Sequence, residues 1–198
     1  MKKVILLIVF LLVVAFFWLS ASDAAKAAPV KIKPVLLVID VQNAYLPYMD
    51  DKDKKMGMEV INYFIALFRA NGFPVIRVYH TDPKTGPKPG SEEFQFPKTV
   101  AVRDDDAQVT KNYGSAFKKT ELDKMLKAQG CNTLFLCGLS AVGCVLATYH
   151  GAMDLDYDVF MLKDALISHD ASLTKAVQEI CKTTDYYSLK LLLENVGR

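Results

Sequence analysis

Cys144 carries the clearest chemical signal in the chain. It follows an apolar segment, Asn132 to Cys137, and a glycine-containing link, Gly138 to Gly143, and it opens a helical stretch reaching about Leu155. A thiol at a helix N-terminus meets unpaired backbone N–H groups, which favour a thiolate and can also hold an oxyanion. The chemistry would be nucleophilic attack on a carbonyl. The competing reading is a small apolar residue packed in a crossover. Asp40 closes the apolar run Val35 to Ile39. A carboxylate there must be solvated, hydrogen-bonded or paired. It can take a thiol proton and return it to a leaving group, or it can simply cap the following turn. Lys111 follows the acidic run Asp104 to Asp106. Near the strand ends it would stabilise both a thiolate and the Asp40 carboxylate, although most lysines are solvated surface groups.

Metal and nucleotide chemistry find less support. The three histidines, His80, His150 and His169, are far apart and form neither HExxH nor an Asp-x-His pair. A catalytic zinc usually takes three protein ligands, so no metal is expected. His80, at a strand end, either lines a pocket or only packs. Gly138 and Gly143 fit no phosphate-binding glycine pattern, and no GxSxG elbow occurs. No cofactor is implied.

These residues need elements to position them. Val35 to Ile39 reads as a strand buried on both faces. A stripe of Met56, Val60, Phe64, Leu67 and Phe68 predicts a helix over Lys52 to Asn71. Pro74 to His80 reads as a second strand, and residues 81–110, rich in proline, glycine and charge, as a long surface excursion. Thr120 is placed to cap a helix over Glu121 to Gln129. Further strands are predicted over Asn132 to Cys137 and Tyr157 to Leu162, and a helix over Ser172 to Thr183. The tail, Ser188 to Val196, fits an edge strand or a short helix. Alternating strands and helices indicate an α/β fold with a mostly parallel sheet covered on both faces. Ligands in such folds bind beyond the C-terminal strand ends, where Asp40, His80, the 138–144 link and Asp164 all fall.

The chain has 198 residues, 52% hydrophobic and 23% charged, with net charge +2. That supplies one core and excludes disorder. No strong cationic field is present, so nucleic-acid binding is not expected. The apolar residues are unevenly spread. Lys2 and Lys3 precede an unbroken apolar run of sixteen, Val4 to Leu19, and an Ala-rich exit follows. Residues 1–28 therefore read as a cleaved signal peptide or an N-terminal membrane anchor. Both readings place residues 29–198, one domain, outside the cytoplasm, in a periplasmic or extracellular space. Removing residues 1–24 lowers the net charge to +1. Four cysteines are too few for a disulfide scaffold, and Cys131 and Cys137 are poorly placed to bridge each other along one extended segment. Oligomeric state stays open, a homo-oligomer included.

Four segments in order carry a resemblance. Val35 to Asn43, Thr110 to Phe117, Asn132 to Val145 and Val159 to Ala165 resemble the corresponding segments of the isochorismatase-like cysteine hydrolases. The resemblance spans about residues 34–180. It implies a Rossmann-like, three-layer α-β-α fold with a six-stranded mostly parallel sheet. It implies a catalytic triad of Asp40, Lys111 and Cys144. It implies a non-proline cis peptide between Leu139 and Ser140, and an oxyanion hole from the backbone N–H groups of Ser140 and Cys144. Tyr45, His80 and Tyr113 are the residues expected to line the substrate pocket.

Departures narrow the class. Metal-containing nicotinamidases of the family carry Asp-x-His and further histidines after the second strand. Here that stretch reads His80-Thr81-Asp82-Pro83-Lys84, so that type is not expected. Isochorismatases proper lack the cysteine, and Cys144 favours amide or imide hydrolysis of a small molecule. Ala141 stands where the family's turn usually has threonine, which alters local hydrogen bonding. Two alternatives stay open, namely ether or ester hydrolysis and a non-catalytic protein that keeps the fold to bind a small molecule.

Overall fold

The computed structural model describes residues 31–196; the leader or anchor expected over residues 1–28 lies outside them. The first strand, β1 (Pro34–Ile39), is buried at every position. Its side chains alternate between two cores. Leu36 and Val38 enter one with Phe64, Phe68 and Phe135. Val35, Leu37 and Ile39 enter the other with Leu122, Leu126 and Val145. A strand buried on both faces needs apolar residues in succession, which explains its unbroken apolar run.

Five further strands join β1, namely β2 (Val75–His80), β3 (Ala107–Lys111), β4 (Thr133–Leu139), β5 (Asp158–Ile167) and β6 (Thr183–Thr184). Their order is β3-β2-β1-β4-β5-β6, and every pairing is parallel. Among the described residues five α-helices cover the faces: α1 (Asp51–Ala70), α2 (Leu122–Gln129), α3 (Leu146–Met153), α4 (Ala171–Ile180) and α5 (Tyr186–Asn195). α1 and α5 bury side chains in the first core; α2, α3 and α4 bury theirs in the second. The expected three-layer, six-stranded architecture is what the chain adopts.

Several elements differ from their sequence reading. The excursion over residues 81–110 ends in β3, an edge strand with alternating burial, too polar to register as a buried run. The tail forms α5, because the Asp185 side chain accepts from the N–H of Ser188 at 2.9 Å and caps it. β5 continues beyond Leu162 through a register shift opposite β4. Asp164, at positive φ, therefore lies inside β5. It is exposed in a cleft with Tyr63 and Tyr186, not at a strand end. The buried stripe of α1 runs through Gly57, Ile61, Phe64, Ile65 and Phe68, while Met56 is exposed. Glycine at 57 permits this rotation, since a Cβ there would stand 2.6 Å from Ile167 Cγ1. Helix α2 starts one residue later than predicted; Thr120 Oγ1 accepts the N–H of Leu122 at 3.3 Å.

Candidate active site

Asp40 directly follows β1, His80 ends β2, Lys111 ends β3 and Leu139 ends β4. Parallel strands deliver all four ends to one rim of the sheet. Asp40 takes a left-handed conformation, φ 54°, which aspartate tolerates better than most residues. Its N–H donates to the carbonyl of Val78 at 2.9 Å. Beside it, Gly138 has φ 114°, and a Cβ there would stand 2.1 Å from the Ile39 carbonyl oxygen. Only glycine allows β4 to pass so near the aspartate's anchor.

Lys111 Nζ donates to Asp40 Oδ2 at 2.7 Å and to His80 Nδ1 at 3.0 Å. Lys111 is 1% exposed and Asp40 2%. Sγ of Cys144, a carboxylate oxygen of Asp40 and a ring nitrogen of His80 lie within 4.8 Å of one another. Asp40, Lys111 and Cys144, predicted together from sequence, thus meet in one cluster, the first two buried and the thiol half-buried. Asp40 Oδ1 is buried and takes no geometric hydrogen bond, which leaves it open to a proton. Burial raises the Asp40 pKa to about 6, against the opposing pull of Lys111.

Cys144 sits in a widened helical turn, Ala141–Val145, just before α3, not at the first residue of a regular helix. Gly143 breaks the helical path with φ −110° and ψ −106°. The carbonyl of Ser140 accepts the N–H groups of Gly143 and Val145, on either side of Cys144. The peptide between Leu139 and Ser140 is cis. The thiol is not the ready thiolate that a helix N-terminus alone would favour. Burial and the Asp40 carboxylate raise its pKa to about 11, while Lys111 pulls the other way. At rest the pair is therefore a carboxylate beside a neutral thiol, an arrangement that calls for proton transfer to Asp40 during attack.

The remaining sequence candidates divide. Tyr45 is at the site, its ring edge-on to His80 with centroids 5.9 Å apart. Burial and the neighbouring Asp40 raise its pKa to about 12. A cleft of about 350 Å³ opens beyond it, lined by Tyr45, Tyr48, Thr85, Pro87 and Glu93. Tyr113 brings its backbone to His80, but its ring lies under Lys118 Nζ and Lys119 Nζ, at 4.6 and 5.4 Å. Ala141 is fully buried among apolar side chains. The hydroxyl in this turn comes from Ser140, 3.4 Å from the hydroxyl of Ser168. All four cysteines are free thiols; Cys137 is buried, and burial pushes its thiol pKa far up.

Two supporting residues escaped the sequence reading. Gln42 is fully buried. Its Nε2 donates to the carbonyls of His80 and Phe94 at 3.1 and 2.9 Å, and its Oε1 accepts the N–H of His80 at 2.7 Å. Thr148 is also fully buried. Its Oγ1 accepts the N–H of Ala116 at 3.0 Å and donates to the carbonyl of Cys144 at 2.7 Å. The sequence held one usable signal for Gln42, a buried-type amide two residues past a strand-end aspartate. Thr148 gave none.

The fold and this cluster define a three-layer α/β protein with a buried aspartate–lysine pair at its strand ends and a half-buried thiol beside it. The chain belongs to the isochorismatase family, whose isochorismatase domain matches residues 34–184. It is 30% identical over 142 residues to the isochorismatase family protein YrdC of Bacillus subtilis, covering 67% of this chain and 73% of that protein. Among solved structures it resembles N-carbamoylsarcosine amidase from Thermoplasma acidophilum, with TM-score 0.68 and 24% identity over 78% of this chain and 95% of that one. It also resembles pyrazinamidase of Pyrococcus horikoshii in complex with zinc, with TM-score 0.68 and 21% identity over 78% of this chain and 99% of that one. The zinc of the latter raises the question of whether this site suits a metal. Asp82, next along the loop from His80, spends Oδ1 on the backbone N–H groups of Lys84 and Thr85. Nδ1 of His80 is engaged by Lys111. Among the described residues the one close donor set, Asp40, His80 and Cys144, has the Lys111 ammonium against it. These residues do not fit a metal ion.

Proposed function

We propose that the chain is a cysteine-dependent hydrolase that cleaves a C–N bond, amide or imide, of a small molecule through a thioester. The buried ion pair of Lys111 and Asp40, with Cys144 beside the carboxylate, carries this reading. Two proteins that share the fold are named as amidases.

In the reaction, Asp40 takes the Cys144 proton as Sγ attacks the substrate carbonyl. Lys111 offsets the negative charge that moves between carboxylate and sulfur. The tetrahedral oxyanion is held by the backbone N–H groups of Ser140 and Cys144. The C–N bond breaks as protonated Asp40 passes its proton to the departing nitrogen. Water, deprotonated by Asp40, then attacks the thioester, and the carboxylic product leaves with Cys144 again a thiol. The cleft beyond Tyr45, about 350 Å³, is in the range of small-molecule sites, and Tyr113 borders His80. The N-terminal apolar run and near-neutral charge support work outside the cytoplasm, released or anchored.

The test is a panel of primary amides and cyclic imides with acid quench and mass spectrometry of the Cys144 peptide. Turnover with an acyl adduct on Cys144, both lost in Cys144→Ala, supports the reading. Amide turnover that survives Cys144→Ala overturns the thioester route, and turnover of added vinyl ethers or esters alone, surviving the same substitution, assigns ether or ester chemistry instead. Ligand-induced thermal stabilisation without turnover assigns a binding protein.

A further inference from the structure

We infer that His80 is a positioning residue, whose Nδ1 holds the Lys111 ammonium against Asp40 and Cys144. This rests on the Asp40, Lys111 and Cys144 reading above and adds a fourth member, assigned from sequence only to the substrate pocket.

The register of β2 and β3 pairs His80 with Lys111 directly. Both side chains leave adjacent strand ends side by side. An ammonium has three N–H donors and no acceptor, and a buried one must place them all. Asp40 Oδ2 takes one at 2.7 Å, and His80 Nδ1 takes another at 3.0 Å. The thiol of Cys144 also feels Lys111 at hydrogen-bonding range. Remove the imidazole acceptor, and a charge on a flexible four-carbon stem loses one of its fixed points.

His80 is itself held on several sides. Gln42 binds both its N–H and its carbonyl. Tyr45 packs edge-on against its ring, and the Tyr113 backbone meets the imidazole. A residue that only lined a pocket would need no such clamp. The role requires a neutral imidazole, since a protonated Nδ1 cannot accept. Burial and the Lys111 charge lower the His80 pKa to about 4. The charged and titratable groups around the ring are Lys111, Asp40, Cys144, Tyr45 and Asp82; the Asp82 carboxylate pulls that pKa upward, against burial and Lys111.

The experiment is iodoacetamide alkylation of Cys144 across pH 5 to 9, followed by peptide mass spectrometry, on the full chain and four variants. In the unsubstituted protein the rate rises through about pH 6 with Asp40 ionisation. His80→Leu is expected to lower the plateau on the order of ten- to a hundredfold, as a misplaced catalytic group does, and to displace this pH limb. His80→Asn, whose Oδ1 can stand where Nδ1 stood, is expected to restore both; His80→Gln is not. Unchanged rate and limb in His80→Leu overturn the positioning role, as does equal behaviour of the Asn and Gln variants should the Leu variant fail to fold. Stoichiometric zinc retained after dialysis, and lost in His80→Leu, would also overturn it. The parent reading is tested separately by Asp40→Asn, which must abolish the limb near pH 6. If that limb persists, Asp40 is not the base, whatever the His80 variants do.

Discussion

The hydroxyl of Thr148 donates to the carbonyl of Cys144 at 2.7 Å while accepting the N–H of Ala116. One side chain thus ties the segment that follows Lys111 to the helix that follows the thiol. Thr148→Val keeps the shape and removes the hydroxyl, leaving the Ala116 N–H buried without a partner. A loss of about 1–3 kcal/mol is expected, read by urea denaturation, together with slower Cys144 alkylation.

The proton balance at Asp40 sets the pH response. Its pKa is raised to about 6 by burial, and it must be ionised to accept the thiol proton. Amide turnover should therefore fall about tenfold per pH unit below pH 6. It should hold level from pH 7 to 9, since the thiol titrates only at about 11. A kcat/KM profile checks this. Stability runs the other way for this group, because the folded chain binds its proton more tightly than the unfolded chain. Its contribution is full below pH 3.8, the ordinary carboxyl value, and is lost as pH rises through about 6.

Lys111→Met removes the cation from a sealed ion pair. Asp40 would then keep a buried charge with no cation beside it. Breaking such a pair costs about 3–5 kcal/mol, visible as a lower urea midpoint at pH 8. At pH 5, where Asp40 can take a proton instead, the deficit should shrink. Equal deficits at both pH values would show that Asp40 is not the group left exposed to the loss.

Gly138→Ala confronts two obstacles at once, positive φ and an Ile39 carbonyl 2.1 Å from the new Cβ. The loss should exceed about 1 kcal/mol. Because the displaced backbone directly precedes Asp40, Cys144 alkylation should slow in parallel. A neutral melting temperature would contradict the close approach.

Much of this arrangement is legible in the sequence where a residue's type is forced by its surroundings. β1 needs apolar residues on both faces, so Val35 to Ile39 announces itself. The strand-end positions of Asp40 and His80 follow from it and from β2. The apolar strand before Cys144 marks the rim where the thiol sits, and the acidic stretch before Lys111 at least flags a change in the chain. What stays hidden depends on partners distant in sequence. β3 is an edge strand, so its polar alternation resembles loop composition. The α1 stripe holds at Phe64, Leu67 and Phe68 but shifts by one residue in its first half, to Gly57 and Ile61, because Gly57 admits close packing that hydrophobic periodicity does not encode. The thiol's protonation state depends on its burial beside Asp40, which no local pattern specifies. The Gln42 and Thr148 hydrogen bonds likewise span 38 and 32 residues.

The outermost position of β3 has a consequence for the order in which the molecule becomes reactive. Lys111 and Asp40 are 71 residues apart, and the lysine reaches the rim only when this five-residue edge strand docks on β2. That strand is held to the sheet along one side only, so the counter-charge depends on a single strand pairing. Until it docks, Asp40 and Cys144 share the rim without the ammonium that balances them. A chain whose edge strand is undocked therefore lacks its counter-charge, and that one pairing arms it.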